Sequence, residues 1–400
     1  MYCNAFTNKT VWLSGHTGFK GSWLAEWLLT LGAKVHGFAL PPPTCPSLFN
    51  QLGLVRRLDN EFGDVRDLDA VRRSIQATKP DFVFHLAAQP LVREANAHPV
   101  ETYATNVQGT VHVLESLRET NHPCAAVFIT TDKCYENREW IYGYRENDPL
   151  GGYDPYSSSK AAAELVIQAY HRSFFRKHPV CIASARAGNV IGGGDWARDR
   201  IIPDCIRWLK QNRAIAVRNP DATRPWQHVL EPLSGYLWLA AVLAGPGKTR
   251  LNGNPPDSAF NFGPGPEANR SVSELVIELL KHWPGRWEDA RNPQAVHEAG
   301  LLQLCTDKAR GQLKWSPVWP FAEAVSQTIT WYRRAEKLGD PGAVRALTGS
   351  QIDAYCRHAR NQNAIWMLDE PMAAPAFTET QTGGCCPLEA AEKPVLWTTE

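Results

Sequence analysis

The chain has 400 residues, 44% of them hydrophobic and 21% charged, enough to bury a full core and too apolar for disorder over most of its length. A formal net charge of +1 without a long basic cluster excludes the electrostatic footprint of a nucleic-acid binder. No apolar run approaches about 18 residues, and Met1 to Thr10 lacks the pattern of a signal peptide, so a cytoplasmic protein without membrane contact is expected.

Lys9 to Ser14 reads as a short buried strand running into Gly15-His16-Thr17-Gly18-Phe19-Lys20-Gly21, after which Trp23, Leu24, Trp27, Leu28 and Leu31 recur at helical spacing. A glycine turn between strand and helix lets the backbone approach a pyrophosphate, and the helix start attracts its charge, so a dinucleotide is expected there. The acidic residue that would hold a ribose 2'-hydroxyl, roughly 20 residues on, is missing. The next strand, Lys34 to Phe38, is followed by Ala39-Leu40-Pro41-Pro42-Pro43.

Strands at Asp81 to Leu86, Ala125 to Thr131 and Val180 to Ala187 alternate with helices at Val100 to Glu119 and Pro155 to Arg176, which predicts an α/β fold with a doubly wound parallel sheet of Rossmann type. His85-Leu86-Ala87-Ala88-Gln89 and Thr130-Thr131-Asp132-Lys133 end two of these strands, where open parallel sheets bind ligands. Lys160 lies four residues after Tyr156 on one helical face, and its ammonium is expected to pull a phenol pKa of roughly 10 toward neutrality. That makes Tyr156 a candidate base. Asn106, in the preceding helix, holds an ordered water or a backbone group, or is a plain surface residue. From Gly192 the elements shorten and prolines accumulate to about Tyr332, as in a smaller α/β lobe closing over a ligand; 336–361 reads as a helical segment and 362–400 as a flexible tail. The ten cysteines lack Cys-x-x-Cys pairs or matching His spacing, so reduced thiols and no metal site are expected.

Taken together, Gly15-x-x-Gly18-x-x-Gly21, His85-Leu86-Ala87-Ala88, Asn106, Thr131 and Tyr156-x-x-x-Lys160 resemble the extended short-chain dehydrogenase/reductase superfamily, in its nucleotide-sugar branch, over roughly Lys9 to Tyr332. Longer strings, including Gly15 to Trp23, Thr130 to Tyr135, Tyr142 to Glu146, Arg186 to Trp196 and Arg224 to Val229, are similar to the CDP-glucose 4,6-dehydratase family. The resemblance implies NAD as cofactor, held by Gly15, Thr17, Gly18, Phe19, Gly21, Asp64, Val65, Leu86, Ala87, Ala88, Asn106, Tyr156 and Lys160. It implies a dinucleotide-binding domain over 1–190 with a returning segment near 227–262, a nucleotide-sugar lobe over 191–335, and a homodimer built on the helices at 100–119 and 155–176.

The implied reaction serves deoxysugar biosynthesis of O-antigen type. Tyr156, helped by Lys160 and Thr131, takes the 4-hydroxyl proton of CDP-glucose while hydride leaves carbon 4. The carbon 5 proton, now alpha to a ketone, is removed as water departs from carbon 6, and the hydride returns to carbon 6. Asp132 is the implied acid. The carbon 5 base is either Lys133, where related dehydratases carry glutamate, or Asp132, with Lys133 then stabilising an enolate. Gln89, Asn189, Arg224, Arg270 and His297 are the implied substrate contacts, with Arg224 the best pyrophosphate donor and Arg186 a lesser one. A 4-epimerase would need Tyr156, Lys160 and Thr131 but no elimination acid; a 4,6-dehydratase for another base and a non-catalytic dinucleotide-sensing regulator are the other readings.

Overall fold

The computed structural model describes residues 1–245, 259–291 and 300–368. Seven strands form its centre: β1 (Thr10–Ser14), β2 (Lys34–Ala39), β3 (Asp59–Phe62), β4 (Phe82–His85), β5 (Cys124–Ile129), β6 (Val180–Ala187) and β7 (Phe260–Phe262). They pair in the order β7-β6-β5-β4-β1-β2-β3, every pair parallel. β5 is buried at all six positions, as a strand covered on both faces must be, and its sequence Cys-Ala-Ala-Val-Phe-Ile is accordingly an unbroken apolar run. The order reverses between β1 and β4, so the crevice at the carboxyl ends of those strands is where such a sheet takes a ligand.

Both long helices differ from the expected uninterrupted rods. The first is Pro99–Tyr103 and Gly109–Arg118 joined by a π-turn at Ala104–Gln108, and the second, Pro155–Tyr170, ends in a π-turn at His171–Phe175. An extra residue in a turn leaves no trace in hydrophobic periodicity, yet here it rotates Asn106 into the interior. The Leu230–Leu243 helix is buried on every side and leads by its sequence toward β7, the last strand to join the sheet.

The second lobe is built of three two-stranded pieces: Val190–Ile191 with Gln227–His228, Thr223–Pro225 with Asn269–Ser271, and Ile215–Val217 with Trp287–Asp289. Packing also runs further toward the C-terminus than a boundary at 362 allows. After the Pro341–Asn361 helix, Trp366 is fully buried and stacks on Tyr2 with ring centroids 5.1 Å apart. The apolar run Ala364-Ile365-Trp366-Met367-Leu368 is too short to carry a periodic signal, which is why the sequence hides this anchor; 369–400 lie outside the described residues. Among the described residues no helix is long and apolar enough to cross a membrane.

Glu231, in the first turn of the buried helix, ties the C-terminal region to the core. Its carboxyl group accepts from the backbone N–H of Val318 (2.9 Å) and Trp319 (2.7 Å) and from the Tyr355 hydroxyl (2.8 Å), while burial pushes its pKa up to about 7. A raised carboxyl pKa contributes stability that is complete below the unfolded value of roughly 4.3 and lost as pH rises through about 7. Glu231→Gln is therefore expected to destabilise the protein more at pH 5 than at pH 8, read as the difference from the parent in denaturant midpoint; an equal loss at both values would contradict the buried, proton-holding carboxyl.

Candidate active site

Local sequence sets the cofactor end. Gly15 has φ +74° and a Cβ there would meet Ala87 N at 2.7 Å, while a Cβ on Gly21 would lie 2.1 Å from the Gly15 carbonyl oxygen. The turn is thus folded onto itself and against the Leu86-Ala87 backbone, with no space for side chains. Ser14 fixes the opposite wall, its hydroxyl accepting from the N–H groups of Leu86 and Ala87, both at 3.1 Å. Thr17 donates to the Leu40 carbonyl (2.9 Å), and Gly18 begins the Phe19–Thr30 helix without any side-chain cap. A close backbone cradle before an uncapped helix start fits a pyrophosphate.

Asp64 and Val65 lie just beyond the end of β3. Asp64 pairs with Arg66 (2.6 Å), which holds its carboxyl below the usual range, and the Val65 carbonyl faces His112 Nδ1 at 2.9 Å. Asn106 accepts from Gln89 N–H (2.8 Å) and donates to the Gln89 carbonyl (3.1 Å) and to Ser159 Oγ (2.9 Å). Its amide therefore ties the loop after β4 to the catalytic helix, so it positions that edge. The Gln89 side chain donates to the Leu91 carbonyl and to Thr102 Oγ1 and accepts from Leu91 N–H.

The chemical edge is assembled by two short capping motifs. Asp154 accepts from the N–H of Tyr156 (2.9 Å) and Ser157 (3.0 Å), and Pro155 occupies the first helical position, so the helix begins with Tyr156 aimed at the end of β5. Thr131 caps the short Asp132–Cys134 turn, accepting from Lys133 N–H at 3.3 Å. Its hydroxyl donates to Asp132 Oδ1 (2.9 Å) and is also within hydrogen-bond reach of the Tyr156 phenol. One hydroxyl thus links the phenol and the carboxyl group. Thr131, Asp132, Tyr156 and Lys160 are all buried, and Lys133 is half-buried beside them.

Proton affinities here follow burial. The Tyr156 phenol is pushed up to about 12 by desolvation, against the Thr131 hydrogen bond that favours its anion. Lys160 falls to about 8 by desolvation and donates to the Ile129 carbonyl at 3.4 Å. The expectation that Lys160 lowers the phenol pKa is therefore corrected for the protein alone: burial raises the proton affinity of the phenol and lowers that of the ammonium, which at about 8 still carries its charge near neutral pH. Asp132 is likewise raised by burial, and its Oδ2 is buried without a partner against Gly188, where a Cβ would come within 2.6 Å of it.

Substrate-side residues divide. Gly188 and Pro225 lie together at Asp132; Arg224 Nη1 donates to the Thr223 carbonyl at 2.7 Å and its charge acts on Asp132, while the Asn189 carbonyl accepts from Gln227 N–H at 3.2 Å. Arg270 is the direct cross-strand partner of Arg224 in the antiparallel pair, exposed and paired with Glu274 at 3.0 Å. Arg186 is fully buried and paired with Glu164 at 2.7 Å, which removes it as a pyrophosphate donor. Glu164 also accepts from Ser184 Oγ (2.8 Å) and Thr130 Oγ1, locking the catalytic helix to β5 and β6. His297 lies outside the described residues.

Sequence reasoning missed two groups. Lys20, inside the glycine string, is close enough to Asp132, Lys160, Arg200 and Asp195 to feel their charges, and Arg200, bonded to Asp195 at 3.0 Å, acts on Tyr156. Only the side-chain direction of Lys20 in the first helical turn could have revealed it, and a glycine pattern is blind to that.

Residues 11–252 match the model of the NAD dependent epimerase/dehydratase family. The chain belongs to that family. The family's cofactor is NAD, and the glycine cradle and uncapped helix start fit it. Within the family, the chain is 48% identical over 338 residues to the CDP-glucose 4,6-dehydratase of Salmonella typhimurium, covering 82% of this chain and 92% of that protein. Two solved structures share the fold. UDP-glucose 4-epimerase of Thermotoga maritima, solved with UDP-glucose, has TM-score 0.69 and 19% identity over 82% of this chain and 99% of its own. dTDP-glucose 4,6-dehydratase of Bacillus anthracis, in complex with NAD, has TM-score 0.68 and 20% identity over 82% and 98%. Epimerases and dehydratases share this family fold, so the residues at the site must distinguish them.

Proposed function

We propose that this family member is an NAD-dependent hydro-lyase converting CDP-glucose to CDP-4-dehydro-6-deoxyglucose. The observation that carries the reading is Asp132: a buried carboxyl group with a raised pKa, joined through Thr131 to the phenol that serves oxidation. A 4-epimerase has no use for an acid there. The 48% identity to a CDP-glucose 4,6-dehydratase supports the same choice and the cytosine base.

NAD, when bound, accepts hydride from carbon 4 and gives it back at carbon 6. Tyr156 as phenolate takes the 4-hydroxyl proton, with Thr131 stabilising its anion and Lys160 the positive charge beside it. Asp132, whose protonated form burial favours, donates to the departing 6-hydroxyl. Carbon 5 needs a base on the same edge, for which Lys133 and Asp132 are the groups legible in sequence. After one cycle Tyr156 holds a proton and Asp132 lacks one, and the Thr131 hydroxyl between them is placed to return it. Arg224, whose charge acts on Asp132, suits the nucleotide diphosphate, and Asn189 is assigned to the substrate with it.

Apolar side chains on the two long helices, Val100, Tyr103, Leu165 and Phe174, are exposed, which supports a homodimer on that face. The product suits supply of a deoxysugar for O-antigen-type lipopolysaccharide. The function is tested by incubating the protein with NAD and, separately, CDP-glucose, dTDP-glucose and UDP-glucose. Loss of one water from the CDP sugar alone is expected; an inverted 4-hydroxyl at unchanged mass would indicate an epimerase, and cofactor binding with no product from any sugar a sensor.

A further inference from the structure

The two oxygens of the elimination acid are held differently. Asp132 Oδ1 accepts from the Thr131 hydroxyl at 2.9 Å, whereas Oδ2 is buried and has no hydrogen-bond partner among the described residues. A buried carboxyl oxygen left unpaired costs free energy until a partner arrives to meet it. With Oδ1 as the acceptor, Oδ2 carries the hydrogen when the group is protonated, the form that burial favours. Oδ2 lies against Gly188, the residue that follows β6. A Cβ at position 188 would stand 2.6 Å from Oδ2, 3.2 Å from Asp132 Cγ and 3.3 Å from Pro225 Cγ in the second lobe. The carboxyl group therefore fills the space that a side chain at 188 would need. Gly188 is not among the glycines with a positive φ, so its backbone conformation does not demand glycine.

Resting on the dehydratase reading, we propose that Gly188 is a positioning residue for water loss: its missing side chain lets the Asp132 carboxyl hold Thr131 with Oδ1 while Oδ2 stays free for the 6-hydroxyl of the sugar. An alanine methyl there leaves the backbone as it is and pushes on the carboxyl, the movable end of a side chain. Either Oδ2 turns away from the departing hydroxyl or the Thr131 hydrogen bond is lost. In the elimination, the bond from carbon 5 to hydrogen gives its proton to a base and its electron pair to the new bond between carbons 5 and 6. The bond from carbon 6 to oxygen breaks, and the oxygen leaves as water with the Asp132 proton. Only that last proton transfer uses Oδ2. Oxidation at carbon 4 runs through Tyr156 instead, so a displaced carboxyl separates the two stages.

The test mixes NAD-loaded parent, Gly188→Ala and Asp132→Asn proteins with CDP-glucose and, separately, with its 6-deoxy-6-fluoro analogue, following reduced-cofactor absorbance, water loss and fluoride release. Fluoride leaves as an anion without a proton, so it reports elimination that does not need the acid. With CDP-glucose, Gly188→Ala is expected to form reduced cofactor at the parent rate and accumulate it, while water loss falls about 10²-fold, as for a misplaced catalytic group. With the fluoro sugar it is expected to release fluoride near the parent rate. Asp132→Asn is expected to show the same split more strongly. Water loss at the parent rate in Gly188→Ala would overturn the assignment. So would equal losses of water and fluoride release, or loss of cofactor reduction, because each marks general damage rather than a displaced acid. Water loss at the parent rate in Asp132→Asn would remove the acid that Gly188 serves and the assignment with it. Parent protein that leaves CDP-glucose intact would instead refute the dehydratase reading itself.

Discussion

Tyr156→Phe is expected to abolish oxidation at carbon 4, lowering turnover by about 10²- to 10⁴-fold while nucleotide-sugar binding is retained. Phenylalanine keeps the buried ring and removes only the oxygen within reach of Thr131. Because burial sets the phenol at about 12 in the protein alone, forming the phenolate depends on what surrounds it: the Thr131 hydrogen bond and a positive neighbour. No reduced cofactor should appear in this variant, which separates it from variants of the elimination groups. Stopped-flow absorbance after mixing with CDP-glucose checks it; reduced cofactor formed at the parent rate would remove Tyr156 from the reaction.

Gly21→Ala is expected to weaken NAD binding strongly, whereas Gly18→Ala is mild. A Cβ at position 21 would lie 2.1 Å from the Gly15 carbonyl oxygen, so the turn must open, but at position 18 the same contact is an ordinary 3.4 Å. Overpacking of this kind costs roughly 1–3 kcal/mol, about 5- to 150-fold in affinity if it falls on the cofactor-competent turn. Isothermal titration of NAD against both variants checks the contrast. Equal affinities would mean that the turn is not held closed by these glycines.

The sheet was legible because buried parallel strands write apolar runs, unbroken in Cys124–Ile129 and interrupted only by Ser184 and Arg186 in Val180–Ala187, and because glycines mark the turn. The groups on Thr131, Asp132, Tyr156 and Lys160 were legible as spacing at strand ends and one helical turn, and the structure brings them to one buried edge. Other features depend on contacts distant in sequence. Asn106 faces inward through a π-turn that periodicity does not register. Arg186 looks like an anion donor until Glu164, 22 residues earlier, is seen to be its buried partner. The sign of the Tyr156 shift was missed for a similar reason: spacing gives the neighbour, but burial decides which protonation state that neighbour favours.

The most direct test of the dehydratase account is the fate of the hydrogen on carbon 4. CDP-glucose carrying deuterium at carbon 4 should yield a product one water lighter, with that deuterium in the methyl group at carbon 6, because the hydride removed in the first step is the one returned in the last. Deuterium still on carbon 4 of an inverted sugar, or lost to solvent, would contradict it.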